Sequence, residues 1–392
     1  MKTPSALLLL TCYLGFISLG LPDTLLGVAW PFVRHEFALP QTAAAAAFIA
    51  MGCAYALSGS AAGRLLASLG TGRLLIVSSA AVTLAVFGFA TTPAWILFVL
   101  CTIIHGFGSG AIDTGLNDFV SRRFSASHMN WLHACFSLGA AAGPAIMTGA
   151  VQNQGAWRMG YFIVGGVLSL LTLLFFLTRA QWTEPASAST PPPVRAPLMQ
   201  TLAQPAVRWH LLLFFVYAGI ESTVGQWSFT LLTESRHLST ALAGGLVTTY
   251  WTAIFLGRIL SGFLVPRTGS ARLVRFGIAG AALASFLLLP SASPVLALLS
   301  LLLTGLALAP IFPCLMTLTP ERAGAAHSAN AIGLQVTAAT LGIAVWPSLA
   351  SLTAQLAGPG ALPVLFAGMA ILLLALHEIG PVRAKGLRVP GS

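Results

Sequence analysis

Apolar stretches long enough to cross a lipid bilayer recur along almost the whole chain. A membrane-spanning helix needs about 20 consecutive, mostly apolar residues. The predicted spans are 7–33, 42–66, 73–91, 94–118, 129–151, 159–178, 209–232, 240–265, 272–290, 294–318, 327–350 and 360–378. Only 7% of the residues are charged, whereas soluble proteins carry about 25%, so a water-soluble surface is excluded. We therefore predict an all-α membrane protein with twelve transmembrane helices.

A segment rich in Pro, Ala and Ser, "EPASASTPPPVRAP", separates the sixth span from the seventh. It has no helical periodicity, which is typical of a flexible or extended linker. We predict an N-terminal six-helix bundle over 1–180, a cytoplasmic linker over 181–208 and a C-terminal six-helix bundle over 209–392.

The two halves carry traces of an internal repeat. The sequence "GRLLASLGTGRLL" after the second span resembles "GFLVPRTGSARLV" after the eighth. At one offset of 199 residues, the matching pairs are Gly63 with Gly262, Gly70 with Gly269, and Arg73 with Arg272. Parallel repeats of this kind are found in transporters whose halves rock around a central site. We therefore predict two pseudo-symmetric bundles with a cavity between them.

The basic residues indicate the orientation in the membrane. With both termini in the cytoplasm, only Arg34, Arg158 and Arg236 fall on the opposite side, as the positive-inside rule requires. The same assignment puts Arg258 on or near the cytoplasmic side. The net charge of +10 is scattered between apolar runs, so nucleic-acid binding is not indicated. We predict a multi-pass protein of the inner membrane, acting as a monomer.

Enzyme chemistry is not indicated either. The five cysteines lie in apolar segments and have no metal-ligand spacing with histidines. No pairing of nucleophile and base, metal-ligand set or nucleotide-binding loop is found, so we expect no metal and no cofactor.

Several stretches together resemble a known family. They are "GLPDTLLGVAWP", "GSGAIDTGLN", "HMNWLHACFSLGAAAGP", "YAGIESTVGQW" and "APIFP". On these the chain is identified as a member of the major facilitator superfamily, most similar to the fucose:proton symporter family and its broader relatives. Ala67 and Ser68 depart from the family's loop motif, which usually has Asp and Arg there. The resemblance implies sugar transport coupled to protons.

Three acids lie inside predicted spans and away from the span ends: Asp23, Asp113 and Glu221. An ionisable group at the bilayer centre costs about 2.5–3.5 kcal/mol on insertion scales, so it usually has a function. A carboxyl group in a low-dielectric medium can take up and release a proton near neutral pH. We predict that these three acids couple transport to protons; the alternative is a structural acid hydrogen-bonded to a neighbouring helix.

Polar and aromatic residues of the same spans are candidates for solute binding, because amides, acids and Trp rings recognise sugars. The candidates are Asp23, Asn117, Asn130, His133, Glu221, Gln226, Trp227, Asn330 and Gln335. Structural alternatives stay open: a satisfied interior His for His133 and an interface-belt position for Trp227. His105 has no comparable polar company in the sequence and is expected to be structural.

Charged residues near the span ends are predicted to form the gate. The candidates are Arg64, Arg73, Asp118, Arg267 and Arg272. Asp118 is expected to pair with Arg64, Arg73, Arg122 or Arg123.

The predicted function is proton-coupled symport of a sugar or similar small polar solute by alternating access. The expected partners are that solute, protons and the lipid bilayer. One alternative is proton-coupled efflux of a drug or metabolite on the same fold, although Thr102 stands where many drug antiporters of the superfamily carry Arg. A membrane receptor without transport is a distant third, because the chain has no signalling domain or long polar tail.

Overall fold

The computed structural model describes residues 6–124, 126–152, 156–182, 196–289 and 293–380, without the side chains of 126, 127, 130 and 325. Regular structure in these ranges is helical. The α-helices are α1 (Ala6–Asp23), α2 (Leu25–Glu36), α3 (Ala44–Thr91), α4 (Trp95–Arg123), α5 (Ala126–Gln152), α6 (Trp157–Thr178), α7 (Leu198–Ala203), α8 (Pro205–Thr230), α9 (Thr240–Thr268), α10 (Ser270–Phe286), α11 (Pro294–Leu308), α12 (Ile311–Ala323), α13 (Ala325–Ala357) and α14 (Leu362–Ile379). Short 3-10 segments lie at Gln41–Ala43, Arg179–Gln181 and Pro359–Ala361, and a π-helical turn at Leu231–Ser235.

Nine helical segments among the described residues are long and apolar enough to cross a membrane. One of them, Gln41–Thr91, has 51 residues and contains both the second and the third predicted span. Helices α8 and α10 coincide with the seventh and ninth predicted spans but are outside this set; α10 has only 17 residues. The outer surface carries many exposed large apolar side chains, which suit contact with lipid.

Gly70 divides α3 into two helical segments. Gly70 has φ 71° and ψ 161°, a backbone region that is essentially restricted to glycine. Gly269, between α9 and α10, has φ 79° and ψ 147°. These are the two glycines that the sequence repeat pairs, so the two copies share a distinctive backbone conformation.

The first predicted span is interrupted in its interior. Helix α1 ends at Asp23, α2 begins at Leu25, and Thr24 between them has φ −102° and ψ −5°. Pro22 lies just before the interruption, and a proline inside a helix removes a backbone donor and disturbs the helix. The side chain of Asp23 is thereby placed at an irregular point inside the protein.

Small residues allow the two chain halves, 6–182 and 196–380, to approach closely. A Cβ atom added to Gly52 of α3 would lie 2.6 Å from the Cβ atom of Ala344 on α13. A Cβ atom on Gly27 of α2 would lie 2.9 Å from the backbone of Gln226 on α8. These contacts bring the polar residues of facing helices into one central region.

Candidate functional site

Asp23 faces His105, a histidine that was expected to have only a structural role. The Nε2 atom of His105 lies 3.7 Å from Oδ1 of Asp23, and the His105 side chain is only 3% exposed. Among the described residues, neither of these two atoms has a hydrogen-bond partner. The expectation that His105 lacks polar company is therefore wrong. The contact joins α1 to α4 and is invisible in local sequence because 82 residues separate the partners.

Asp113 lies close enough to Asp23 for their charges to interact. Asn117 donates a 2.9 Å hydrogen bond from Nδ2 to Oδ1 of Asp113, and Tyr55 of α3 also lies beside this carboxyl group. The N-terminal half thus holds two neighbouring acids, Asp23 and Asp113, which we call the acid pair.

Glu221 is held by a basic residue. Nη2 of Arg258 donates to both carboxylate oxygens of Glu221 at 3.1 Å, and the side chains are 11% and 13% exposed. The hydroxyl group of Tyr217 also donates to this carboxylate. Glu221 is therefore part of a buried ion pair, which needs such additional hydrogen bonds to be stable.

Arg258 is buried within α9 and does not flank this helix. Arg258 lies ten residues before the end of α9, which is roughly 15 Å at 1.5 Å per residue. The signal for its role was present in the sequence, because Arg258 is the lone charged residue of 240–265. The positive-inside rule treats a basic residue near a span end as flanking the membrane, so it does not recognise one that is buried in the protein.

Arg258 also reaches across to the N-terminal half. Its Nη1 atom donates to Oγ of Ser137 at 2.5 Å and to the carbonyl oxygen of His133 at 3.3 Å. Both acceptors belong to α5. We call Arg258, Glu221, Tyr217, Ser137 and His133 the arginine site.

Aromatic rings line the arginine site. The ring of His133 lies 5.4 Å from that of Phe16 and 6.0 Å from that of Phe312. Phe312 lies 6.2 Å from Tyr217 and 5.3 Å from Phe214. The rings come from both halves, so apolar faces and hydrogen-bonding groups occur side by side.

Gln226 and Trp227 have structural partners. Gln226 donates from Nε2 to the carbonyl oxygen of Asp23 at 2.7 Å, which satisfies an acceptor at the helix interruption. Trp227 is 1% exposed and donates from Nε1 to the carbonyl oxygen of Pro347 at 2.9 Å. The belt position is therefore wrong for Trp227, and in this state its fully packed ring is not available to stack on a solute.

Asn330 and Gln335 lie near the N-terminal end of α13, away from the acids. Asn330 donates to the carbonyl oxygen of Ala196 at 2.8 Å. Gln335 contacts Thr319 at 2.9 Å and His210 at 3.3 Å. Both side chains tie neighbouring parts of the C-terminal half together, so the structure does not support their place beside the solute. The side chain of Asn130 lies outside the described part of the structure.

The predicted gate residues remain separate from one another. Asp118 forms an ion pair at 2.8 Å with Arg122, four residues later on the same helix. One of its expected partners is therefore confirmed, but this contact does not link two helices. The remaining gate candidates are exposed: Arg64, Arg73, Arg267 and Arg272. Their role in gating stays a prediction.

A second polar cluster, which the sequence reading missed, joins the halves at one end. Arg34 pairs with Glu234 at 2.9 Å, and Gln41 donates to the other oxygen of Glu234 at 2.8 Å. The backbone nitrogen of Gln41 donates to Oε1 of Gln355 at 2.7 Å. We call these four residues the polar latch.

Within the described ranges, no group of three or more His, Cys, Asp and Glu side chains could hold a metal ion. The ionisable groups are arranged in pairs: Asp23 with Asp113, and Glu221 with Arg258. Such pairs can bind a proton or a hydrogen-bonding solute.

Comparisons with known proteins identify the family. The sequence model of the Major Facilitator Superfamily matches residues 12–347. Glucose/mannose transporter GlcP of Bacillus subtilis is 24% identical over 255 residues, 63% of this chain and 63% of that protein. The human Sodium-dependent glucose transporter 1 is 24% identical over 339 residues, covering 76% of this chain and 64% of that protein. The chain thus aligns with somewhat less than two thirds of each relative.

Solved structures agree on the fold. The crystal structure of a mutant of nucleoside transporter NupG superposes with a TM-score of 0.80 at 13% identity, covering 95% of this chain and 99% of that one. The crystal structure of NupG itself gives a TM-score of 0.73. Because the family model spans most of the sequence, the chain belongs to the Major Facilitator Superfamily and is a multi-pass membrane protein.

Proposed function

We propose that this protein moves a sugar or similar small polar solute across the inner membrane together with protons. The observation that carries the proposal is the acid pair with His105. Asp23 lies 3.7 Å from the imidazole of His105 inside the protein, and Asp113 lies on the same helix as His105. Carboxyl groups in a medium of low dielectric cannot remain charged without a large cost. Proton uptake from one side and release to the other removes and restores that charge.

The arginine site supports a solute that carries hydroxyl groups. It combines a charged donor, Arg258, with aromatic rings such as Phe312 and Phe16. Sugars present hydroxyl groups at their edges and apolar C–H groups on their faces, so they fit polar groups set among aromatic rings. Two relatives are named as glucose transporters, which favours the same solute class.

The proposal includes the complete architecture. Twelve spans form two six-helix bundles, 1–180 and 209–392, joined by a cytoplasmic linker, and a single copy is the working unit. Both termini face the cytoplasm, so the polar latch closes the opposite side. Alternating access requires the latch to open while the arginine-rich ends of the helices approach each other.

Sodium is the second candidate for the coupling ion. It is favoured by the relatives named Sodium-dependent glucose transporter 1, from human and zebrafish. A pair of carboxylates can bind either a proton or a sodium ion. Each bound cation reduces the formal charge of −2 by one.

The test is uptake into liposomes that contain the purified protein. Labelled glucose, mannose, fucose and uridine are offered under an inward proton gradient, an inward sodium gradient, or neither, for the wild type and Asp23→Asn. We expect sugar accumulation driven by the proton gradient in the wild type alone. Accumulation driven only by a sodium gradient would identify sodium, and not the proton, as the coupling ion. No sugar uptake under any gradient would favour efflux or another solute.

A further inference from the structure

Arg258 has more donors than the surrounding protein uses. A guanidinium group carries five N–H donors. Nη2 serves Glu221 and Nη1 serves Ser137 and the His133 carbonyl. The Nε atom is buried and has no partner among the described residues. A buried donor without a partner is unfavourable, so an additional acceptor oxygen at this group is stabilising.

The hydrogen-bond partners of Arg258 belong to different halves of the chain. Glu221 lies on α8 in the same half as Arg258, and their ion pair is kept when the halves move. Ser137 and the His133 carbonyl lie on α5 in the other half. Separation of α9 from α5 removes both of these acceptors and leaves Nη1 and Nε without a partner. Oxygen atoms of a solute that enters between the halves can then take their place.

The charge of the site selects the kind of oxygen. Glu221 already neutralises Arg258, and a solute carboxylate would bring a second negative charge close to that of Glu221. A hydroxyl oxygen accepts the same hydrogen bonds without this repulsion. The neighbouring rings of Phe312 and Phe16 provide apolar contact for the rest of a sugar.

We propose that Arg258 is a solute-binding residue that donates to adjacent hydroxyl groups of a neutral sugar. Glu221 positions it, and Ser137 with the His133 carbonyl competes with the solute for Nη1. This assignment rests on the proposed transport of a sugar-like solute. It gives Glu221 a positioning role in place of proton transfer.

The test measures KM for exchange of labelled glucose, mannose or fucose across liposomes without any ion gradient, so that ion coupling does not enter. Loss of the charged hydrogen bonds in Arg258→Lys is expected to raise KM about tenfold or more. Ser137→Ala removes a competitor, so its KM is expected to equal or fall below that of the wild type. The control is Arg179→Lys, an exposed arginine that donates to the Phe176 carbonyl of its own helix.

Glu221→Gln provides a readout of charge. Without the carboxylate, the positive charge of Arg258 is no longer neutralised, and we expect glucuronate to inhibit sugar exchange by this variant but not by the wild type. An unchanged KM in Arg258→Lys would overturn the assignment and leave sugar transport intact. A raised KM in Ser137→Ala, or no glucuronate inhibition of Glu221→Gln, would overturn it even if Arg258→Lys fails to fold. Absence of sugar exchange by the wild type rejects both the proposed function and this assignment.

Discussion

The position of Asp23 depends on an interruption that its own neighbour causes. Helix α1 ends at Asp23, one residue after Pro22. Gln226 from the other half donates a hydrogen bond to the carbonyl oxygen of Asp23. The carboxyl group then faces His105 rather than lipid. The proton affinity of this carboxyl group therefore depends on the imidazole that it faces.

We therefore expect His105→Ala to lose ion-driven accumulation of solute while retaining exchange of solute without a gradient. The substitution removes the imidazole beside Asp23 and changes the affinity of this carboxyl group for a proton, but leaves the arginine site intact. The measurement compares accumulation with exchange in the same liposomes. Thr102→Val is the control, because Thr102 is equally buried one turn earlier on α4 and donates only to the Val99 carbonyl. Equal loss of both activities in His105→Ala would contradict the expectation.

Trp227 is expected to contribute to stability and not to solute affinity. Trp227→Phe removes the hydrogen bond to the Pro347 carbonyl, at a cost of about 0.5–1.5 kcal/mol. Thermal unfolding in detergent is expected at a lower temperature, and KM for exchange is expected to be unchanged. A higher KM at unchanged unfolding temperature would restore the solute-binding interpretation of this residue.

At the scale of helices, the sequence contained most of the information on where elements begin and end. Apolar length located the spans, Pro22 indicated the interruption, and the repeat paired Gly70 with Gly269, which have similar backbone angles. Contacts between distant helices were not predictable in this way. The pairs of Asp23 with His105 and Glu221 with Arg258 depend on how helices pack, which periodicity within one helix does not report.

The repeated glycines give a prediction at this scale. Gly70→Ala and Gly269→Ala place a side chain at positive φ, which costs about 1–3 kcal/mol. We expect both to lower the unfolding temperature. Gly63→Ala and Gly262→Ala are matched controls, since an added Cβ atom meets no atom within 4 Å and φ is not positive. Unchanged stability in the first two variants would show that the helical segments do not require these angles.

For the whole molecule, the polar latch joins the two halves at one end. Arg34 and Gln41 from the N-terminal half both contact Glu234, and Phe32 and Phe229 meet across the halves at 6.4 Å between ring centroids. Phe229 has 0% exposure. A reagent dissolved in water therefore reaches position 229 only when the halves have separated there.

We expect Glu234→Ala to increase the rate at which a water-soluble maleimide labels Phe229→Cys in a cysteine-free background. Loss of one partly exposed ion pair and one hydrogen bond amounts to about 1–2 kcal/mol, or roughly tenfold in the open population. Glu36→Gln is the control, because Glu36 pairs with Arg158 within the N-terminal half. Equal labelling of Glu234→Ala and the control background would mean that the latch does not hold this end closed.

The two halves carry a sequence repeat, but corresponding positions differ in chemistry. At the offset of 199 residues, Asp113 corresponds to Phe312, and Arg258 corresponds to Gly59. Two identical subunits around a symmetry axis must present the same side chain at both equivalent places. Fusion into one chain removes that constraint, so a position that holds a carboxyl group in one copy can hold an aromatic ring in the other. Under the proposed mechanism, the protein gains from broken symmetry a division of labour, with ion binding in its first copy and the main solute-binding donor in its second.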